Sequence, residues 1–95
     1  MIRHIVFWKI RPDTDRHAAA AGIKQRLEPL VGIVPGLVSA EVGEAPAGGD
    51  WDAALCAVLE SEDALRVYQT HPAHLAAKTY VHSVICGRTY VDYKI

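Results

Sequence analysis

The first ten residues constrain this chain more than any other segment. Residues Ile2 to Ile10 form a run rich in β-branched and aromatic side chains. At period two, Ile2, His4, Val6, Trp8 and Ile10 share one face, and Arg3, Ile5, Phe7 and Lys9 share the other. Large apolar groups stand on both faces. A strand of this kind is central and covered on both sides, whereas an antiparallel sheet facing water shows a cleaner alternation. Arg11-Pro12-Asp13 ends the strand, because Pro12 has no N–H for a ladder.

The rest of the chain supplies the elements around that strand. Asp13 or Thr14 is expected to cap a helix. Its apolar stripe is Ala20, Ile23, Leu27, Leu30, Val31 and Val34, and Pro29 should kink its last turn. Pro35-Gly36 closes the segment. Leu37 to Glu44 reads as a second strand, with Val38, Ala40 and Val42 on one face and Ser39 and Glu41 on the other. Ala45 to Asp50, with Pro46, Gly48 and Gly49, reads as a loop. Trp51 to Leu59 is a third, nearly all-apolar strand. Ser61 caps a second helix with acids in its first turn. His71-Pro72 breaks that helix, since a residue before proline avoids the α region. Pro72 then opens a third helix running to about Val84. Gly87 is expected to end it, and Arg88 to Ile95 forms the last strand.

This order is β-α-β-β-α-β, an α+β ferredoxin-like arrangement, with the second helix broken in two. Right-handed crossovers predict a four-stranded antiparallel sheet in spatial order 4-1-3-2. Helices then cover one sheet face. Trp8, Leu55 or the residues alternating with it, and Tyr90 or Tyr93 are expected on the other, with nothing in the chain to cover them. An open apolar face of that size calls for a partner. At 95 residues there is one domain, 1–95, with a thin core, and a second copy would extend it.

Composition excludes several function classes. The formal net charge is -1, and no run of Lys and Arg forms a basic patch. Neither a nucleic-acid footprint nor a polybasic membrane anchor is present. No apolar stretch nears the ~18 residues of a membrane span. The opening apolar run is too short for a signal segment, so a cytoplasmic location is expected. Cys56 and Cys86 lack redox or zinc spacing and fall on strands that the 4-1-3-2 order separates, so no disulfide is expected.

Three segments carry a family resemblance: the opening Met1-Ile2-Arg3-His4-Ile5-Val6-Phe7-Trp8-Lys9-Ile10, the Pro35-Gly36 before the second strand, and Tyr68-Gln69-Thr70-His71-Pro72-Ala73-His74. Together they resemble the stress-responsive A/B barrel (Dabb) domain over essentially the whole chain. The resemblance implies a dimeric α+β barrel in which two open sheet faces pack together. Some plant members resemble polyketide cyclases, which close a linear polyketide by aldol condensation without metal or organic cofactor. The catalytic Tyr and His of those members match Tyr68 and His74, and a histidine near the same cavity matches His4. Haem-degrading enzymes of the wider superfamily are built around an Asn, a Trp and a His. This chain has no Asn, which disfavours that chemistry.

The residue chemistry is compatible with the resemblance. An imidazole near its ordinary pKa suits proton abstraction, and a tyrosine hydroxyl suits a developing enolate oxygen. His74 and Tyr68 are the catalytic candidates, and His4, His71 and Trp8 are ligand-contact candidates. The bland alternatives stand beside them: a capping His71, a His74 bonded to a main-chain carbonyl, a core Tyr68. No metal is expected, because His71 and His74 straddle a proline and no third ligand has suitable spacing. The leading expectation is a homodimer binding a small apolar or phenolic molecule between sheet and helices, with a stress role implied by the family name. A second is a cofactor-independent cyclase or isomerase, and a third is a structural dimer without ligand.

Overall fold

A computed structural model of the chain describes residues 1–47 and 49–95, so the expected loop position of Gly48 lies outside the described residues. The elements are β1 (Ile2–Ile10), α1 (Arg16–Leu27), a 3₁₀ turn (Glu28–Leu30), β2 (Leu37–Glu44), β3 (Ala53–Leu59), α2 (Glu62–Thr70), α3 (Pro72–Val84) and β4 (Ile85–Lys94). The four strands form one antiparallel sheet in order β2-β3-β1-β4, the expected 4-1-3-2 read from the other edge. The fold is ferredoxin-like. No described helix is long and apolar enough to cross a membrane.

Several boundaries differ from expectation for local reasons. Asp13 is held by Arg11 in an ion pair at 3.1 Å, and the Thr14 N–H donates to the Arg11 carbonyl. The helix therefore starts one or two residues later, and Asp15 caps it by accepting from the Ala18 N–H at 2.8 Å. Pro29 opens the 3₁₀ turn after α1. Leu30 and Val34 stay in the core while Val31 swings out to solvent, because the tighter turn changes the period. A register shift between Leu37 and Ser39 leaves Val38 outside the ladder. Val38 is consequently exposed and Leu37 buried. The third strand begins at Ala53, two residues after Trp51. Asp52 is drawn to β1 instead: its carboxylate accepts from the Ile10 N–H at 2.7 Å.

No loop separates α3 from β4. Ile85 is already extended (φ -106, ψ 154), so Gly87 does not end the helix but sits within β4 opposite Lys9. A Cβ there would stand 3.2 Å from the Lys9 Cβ, and this tight approach is the reason a glycine suits the position. Cys86 falls in the accompanying register shift, and both cysteines are free. Gly36 precedes β2 with φ +82, where a Cβ would come 2.6 Å from the Ala64 Cβ. Gly36→Ala is expected to cost about 1–2 kcal/mol by strain and overlap combined, measurable as a lower urea midpoint.

The core lies between the sheet and the helices. Ile2, Val6, Trp8 and Ile10 face the helices, with Leu55, Ala57 and Leu59 from β3 and Ile23 and Leu27 from α1. This corrects the expected placement of Trp8; of the alternatives left open on β3 and β4, Leu55 and Tyr90 fall on the helix side and their neighbours on the open one. Trp8 and Leu55 are 3% and 2% exposed on the helix side, and Tyr90 pairs with Val6 in that same set. The open face carries the other set, in cross-strand rows: Ser39–Val58–Arg3–Tyr93, Glu41–Cys56–Ile5–Val91 and Gly43–Ala54–Phe7–Thr89. Of the expected open-face residues, Tyr93 belongs there.

Candidate functional site

β1 and α3 run side by side in the same direction. At one end the His74 ring lies near Tyr68 and His4; at the other the Arg11 N–H donates to the Val84 carbonyl at 2.9 Å. Between them, and open toward β4, is a cavity of about 210 Å³. Val6, Trp8, Leu27, Leu55 and Val81 form its apolar wall. Its polar lining is His4, Tyr68, Gln69, His74, Lys78, His82, Arg88 and Tyr90.

The break at His71-Pro72 builds the polar end. Tyr68 sits in the last turn of α2 and His74 in the first turn of α3. The sharp bend stacks their rings at 4.1 Å between centroids, 27° apart. His4, 4% exposed, meets the Tyr68 ring edge-on at 6.1 Å. Asp92 lies opposite His4 in the β1–β4 ladder, and its Oδ1 accepts from the His4 Nδ1. A carboxylate on Nδ1 fixes the orientation of the ring and turns its Nε2 edge from β4.

Two polar atoms at this end have no partner: the Tyr68 hydroxyl and the His74 Nδ1, both buried. Burial pushes the Tyr68 hydroxyl up to about 12, with Arg88 pulling the other way. Burial pushes His74 down to about 4; Lys78 and His4 add to this, and main-chain groups of Gln69 and Tyr68 oppose it. The near-neutral titration expected of His74 is thus corrected, because a half-buried ring beside a lysine does not hold a proton at pH 7. At neutral pH Tyr68 is a pure phenol and His74 a neutral imidazole.

Four expected site residues, His4, Trp8, Tyr68 and His74, line one cavity. His71 does not. Its Nδ1 accepts from the Ala73 N–H at 3.1 Å and caps α3, and a ring committed to a cap is turned from the cavity. Lys78, His82 and Arg88 were not foreseen there. Lys78 and His82 follow His74 at steps of four, one helix face, and Arg88 and Tyr90 alternate with Asp92 along β4. Among the described residues, no three His, Cys, Asp or Glu side chains gather as a metal site requires.

Comparison with known proteins agrees with this architecture. The family model described as the stress responsive A/B barrel domain matches residues 2–95. A dimeric protein of unknown function and ferredoxin-like fold from Bacteroides fragilis is 28% identical, covers 99% of this chain and 95% of its own, and superposes with a TM-score of 0.90. A dimeric ferredoxin-like protein of unknown function from Thermobifida fusca is also 28% identical, with 99% and 90% coverage and a TM-score of 0.86. SnoaB, a cofactor-independent oxygenase from Streptomyces nogalater, shares the fold at 15% identity, 99% and 91% coverage and a TM-score of 0.79. No curated protein matches the chain. With its ferredoxin-like sheet, its helix break at His71-Pro72 and a family match running from residue 2 to residue 95, the chain belongs to the stress responsive A/B barrel domain (Dabb) family.

Proposed function

We propose that this protein is a homodimer, joined through its open sheet faces, whose protomers each bind a small, largely apolar molecule bearing a phenol or carbonyl oxygen. The observation that carries the binding reading is the pair of buried, unpartnered atoms at the cavity's polar end, the Tyr68 hydroxyl and the His74 Nδ1. Leaving such a group buried and unpaired costs about 1–3 kcal/mol. A ligand oxygen accepting from the hydroxyl recovers part of that cost. The apolar wall takes the rest of the molecule, and Trp8 lies against it. Dimerisation is supported by the apolar open face and by two relatives, 28% identical, that are described as dimeric.

The test is a calorimetric titration with a phenolic ketone such as 4-hydroxyacetophenone, with Trp8 fluorescence followed in a Trp51→Phe background. Binding and a change in Trp8 emission are expected. Tyr68→Phe should weaken binding about tenfold, the loss of one hydrogen bond in a dry site. Binding that ignores Tyr68→Phe would overturn the assigned pose. If Tyr68→Phe and His74→Gln alter stability alone and no ligand of this class binds, the protein is a structural dimer.

A second reading is a cofactor-independent cyclase or isomerase, favoured by the His4–Asp92 pair beside the cavity. Tyr68 would donate to an enolate oxygen, and His74, neutral at pH 7, would accept the proton. The fold shared with a cofactor-independent oxygenase makes chemistry in this cavity reasonable. His74→Ala should then abolish turnover with the fold intact.

A further inference from the structure

The cavity's charge is one-sided. Lys78 and Arg88 line it together with three histidines, and no Asp or Glu is among its lining residues; Asp92 is behind, engaged with His4. Neither Lys78 nor Arg88 has an ion-pair partner among the described residues, whose salt bridges involve other side chains. Arg88 lies over the Tyr90 ring at 4.9 Å, which holds the guanidinium at the β4 side of the opening. Lys78 is one turn beyond His74 on α3.

Geometry separates these cations from the unpartnered hydroxyl. Arg88 pairs with Trp8, four residues along β1 from His4, roughly 13 Å at the strand rise. Lys78 is about 6 Å along α3 from His74. The cavity thus has a neutral hydrogen-bonding end at Tyr68 and His74, an apolar wall at Val6, Leu55 and Trp8, and two cations facing it from different elements, Lys78 nearer His74 on α3 and Arg88 farther along on β4.

Building on the ligand-binding reading above, we infer that the molecule this cavity takes is an organic acid: a carbonyl or phenol oxygen at Tyr68 and His74, and a carboxylate between Lys78 and Arg88. The fields of both cations reach the polar end: Lys78 acts on His74 and Arg88 on Tyr68. A carboxylate bound between them offsets that excess positive charge, and a neutral ligand leaves it in place. Arginine and lysine at a partly closed mouth favour an anion through charge-assisted hydrogen bonds.

The experiment compares 4-hydroxycinnamate with its primary amide by calorimetry at low salt. The two differ in charge and hardly in shape. The acid is expected to bind about tenfold more tightly, the sum of two partly exposed ion pairs. Its advantage should shrink as salt is raised. In the Lys78→Met/Arg88→Met double variant the two affinities should converge; circular dichroism checks that this variant is folded. Equal affinities in the unmodified protein overturn the acid assignment and leave the binding reading standing. Binding of neither compound, nor of the phenolic ketone, overturns both. An acid preference that survives the double variant overturns the role of these two side chains.

Discussion

Phe7→Asp is expected to convert the protein, in light scattering at tens of micromolar, from a species of twice 10.4 kDa to one of 10.4 kDa. Phe7 stands on the open face in the row with Ala54 and Thr89, next to the row of Ile5, Cys56 and Val91. At 37% exposure it is one of the large apolar groups that no helix covers; the Trp51 ring, 6.3 Å away, shields part of it. A specific interface covers about 800 Å² on each partner. A carboxylate there loses the apolar contact of Phe7 and must be desolvated in the interface, with only the flexible Arg3 and Lys9 of the same face to offset it, a loss of about 2 kcal/mol or more on each side. The substitution points away from the core between sheet and helices, so circular dichroism should show the same secondary structure. A Phe7→Asp protein that stays dimeric would show that another surface joins the protomers. A wild-type protein that runs as a monomer at this concentration would remove the homodimer altogether.

The second large effect is a loss of stability in acid that traces to one ring. His74 is lowered from 6.5 to about 4 in the folded protein. The unfolded chain therefore binds more protons between those values, and stability rises with pH across that window. The contribution of the buried neutral ring is whole above about 6.5, declines as pH falls and is gone near 4. At ~1.4 kcal/mol per tenfold change in proton affinity, and discounted by about half for a partly open ring, the loss is about 2 kcal/mol. Urea unfolding at pH 7 and pH 4.5 should show a steeper loss in the wild type than in His74→Gln, whose side chain does not titrate. Parallel losses in the two proteins would mean that the ring reaches solvent. A ligand that binds only the folded state should raise stability at both pH values.

Much of this fold is legible in short-range chemistry. The period-two run of Ile2 to Ile10, the Ser61 cap and the proline after His71 each act on their immediate neighbours, and each appears where the sequence places it. Arg11 taking Asp13, and so moving the helix cap to Asp15, is equally local but depends on which of two near-equal hydrogen bonds forms. The site is legible in part. Tyr68, His74 and His4 were marked by family resemblance; Trp8 was a ligand-contact candidate without one. Lys78 and His82 were within reach of the four-residue spacing from His74, and Arg88 within reach of the alternation on β4. Those spacings place residues on a face without saying what the face looks upon.

That distinction separates what the chain determines locally from what its packing decides. From sequence alone come the element order, the antiparallel sheet and the two faces of β1, because backbone period and helix stops are properties of a few consecutive residues; the β2 bulge at Val38 is not among them. Which face of β1 the helices cover was decided by the tertiary structure. Both sides carry large apolar groups, Ile2, Val6, Trp8 and Ile10 on one and Ile5 and Phe7 beside the charged Arg3 and Lys9 on the other, so which side the helices cover and which is left for a partner is settled only when the crossovers are laid down. The same packing turned His71 into a cap and left the Tyr68 hydroxyl and the His74 Nδ1 buried without partners. It also set Lys78 and Arg88 across one cavity from chain positions ten residues apart. An unsatisfied group and a convergent charge are relations between distant segments, and they exist only once those segments share a space.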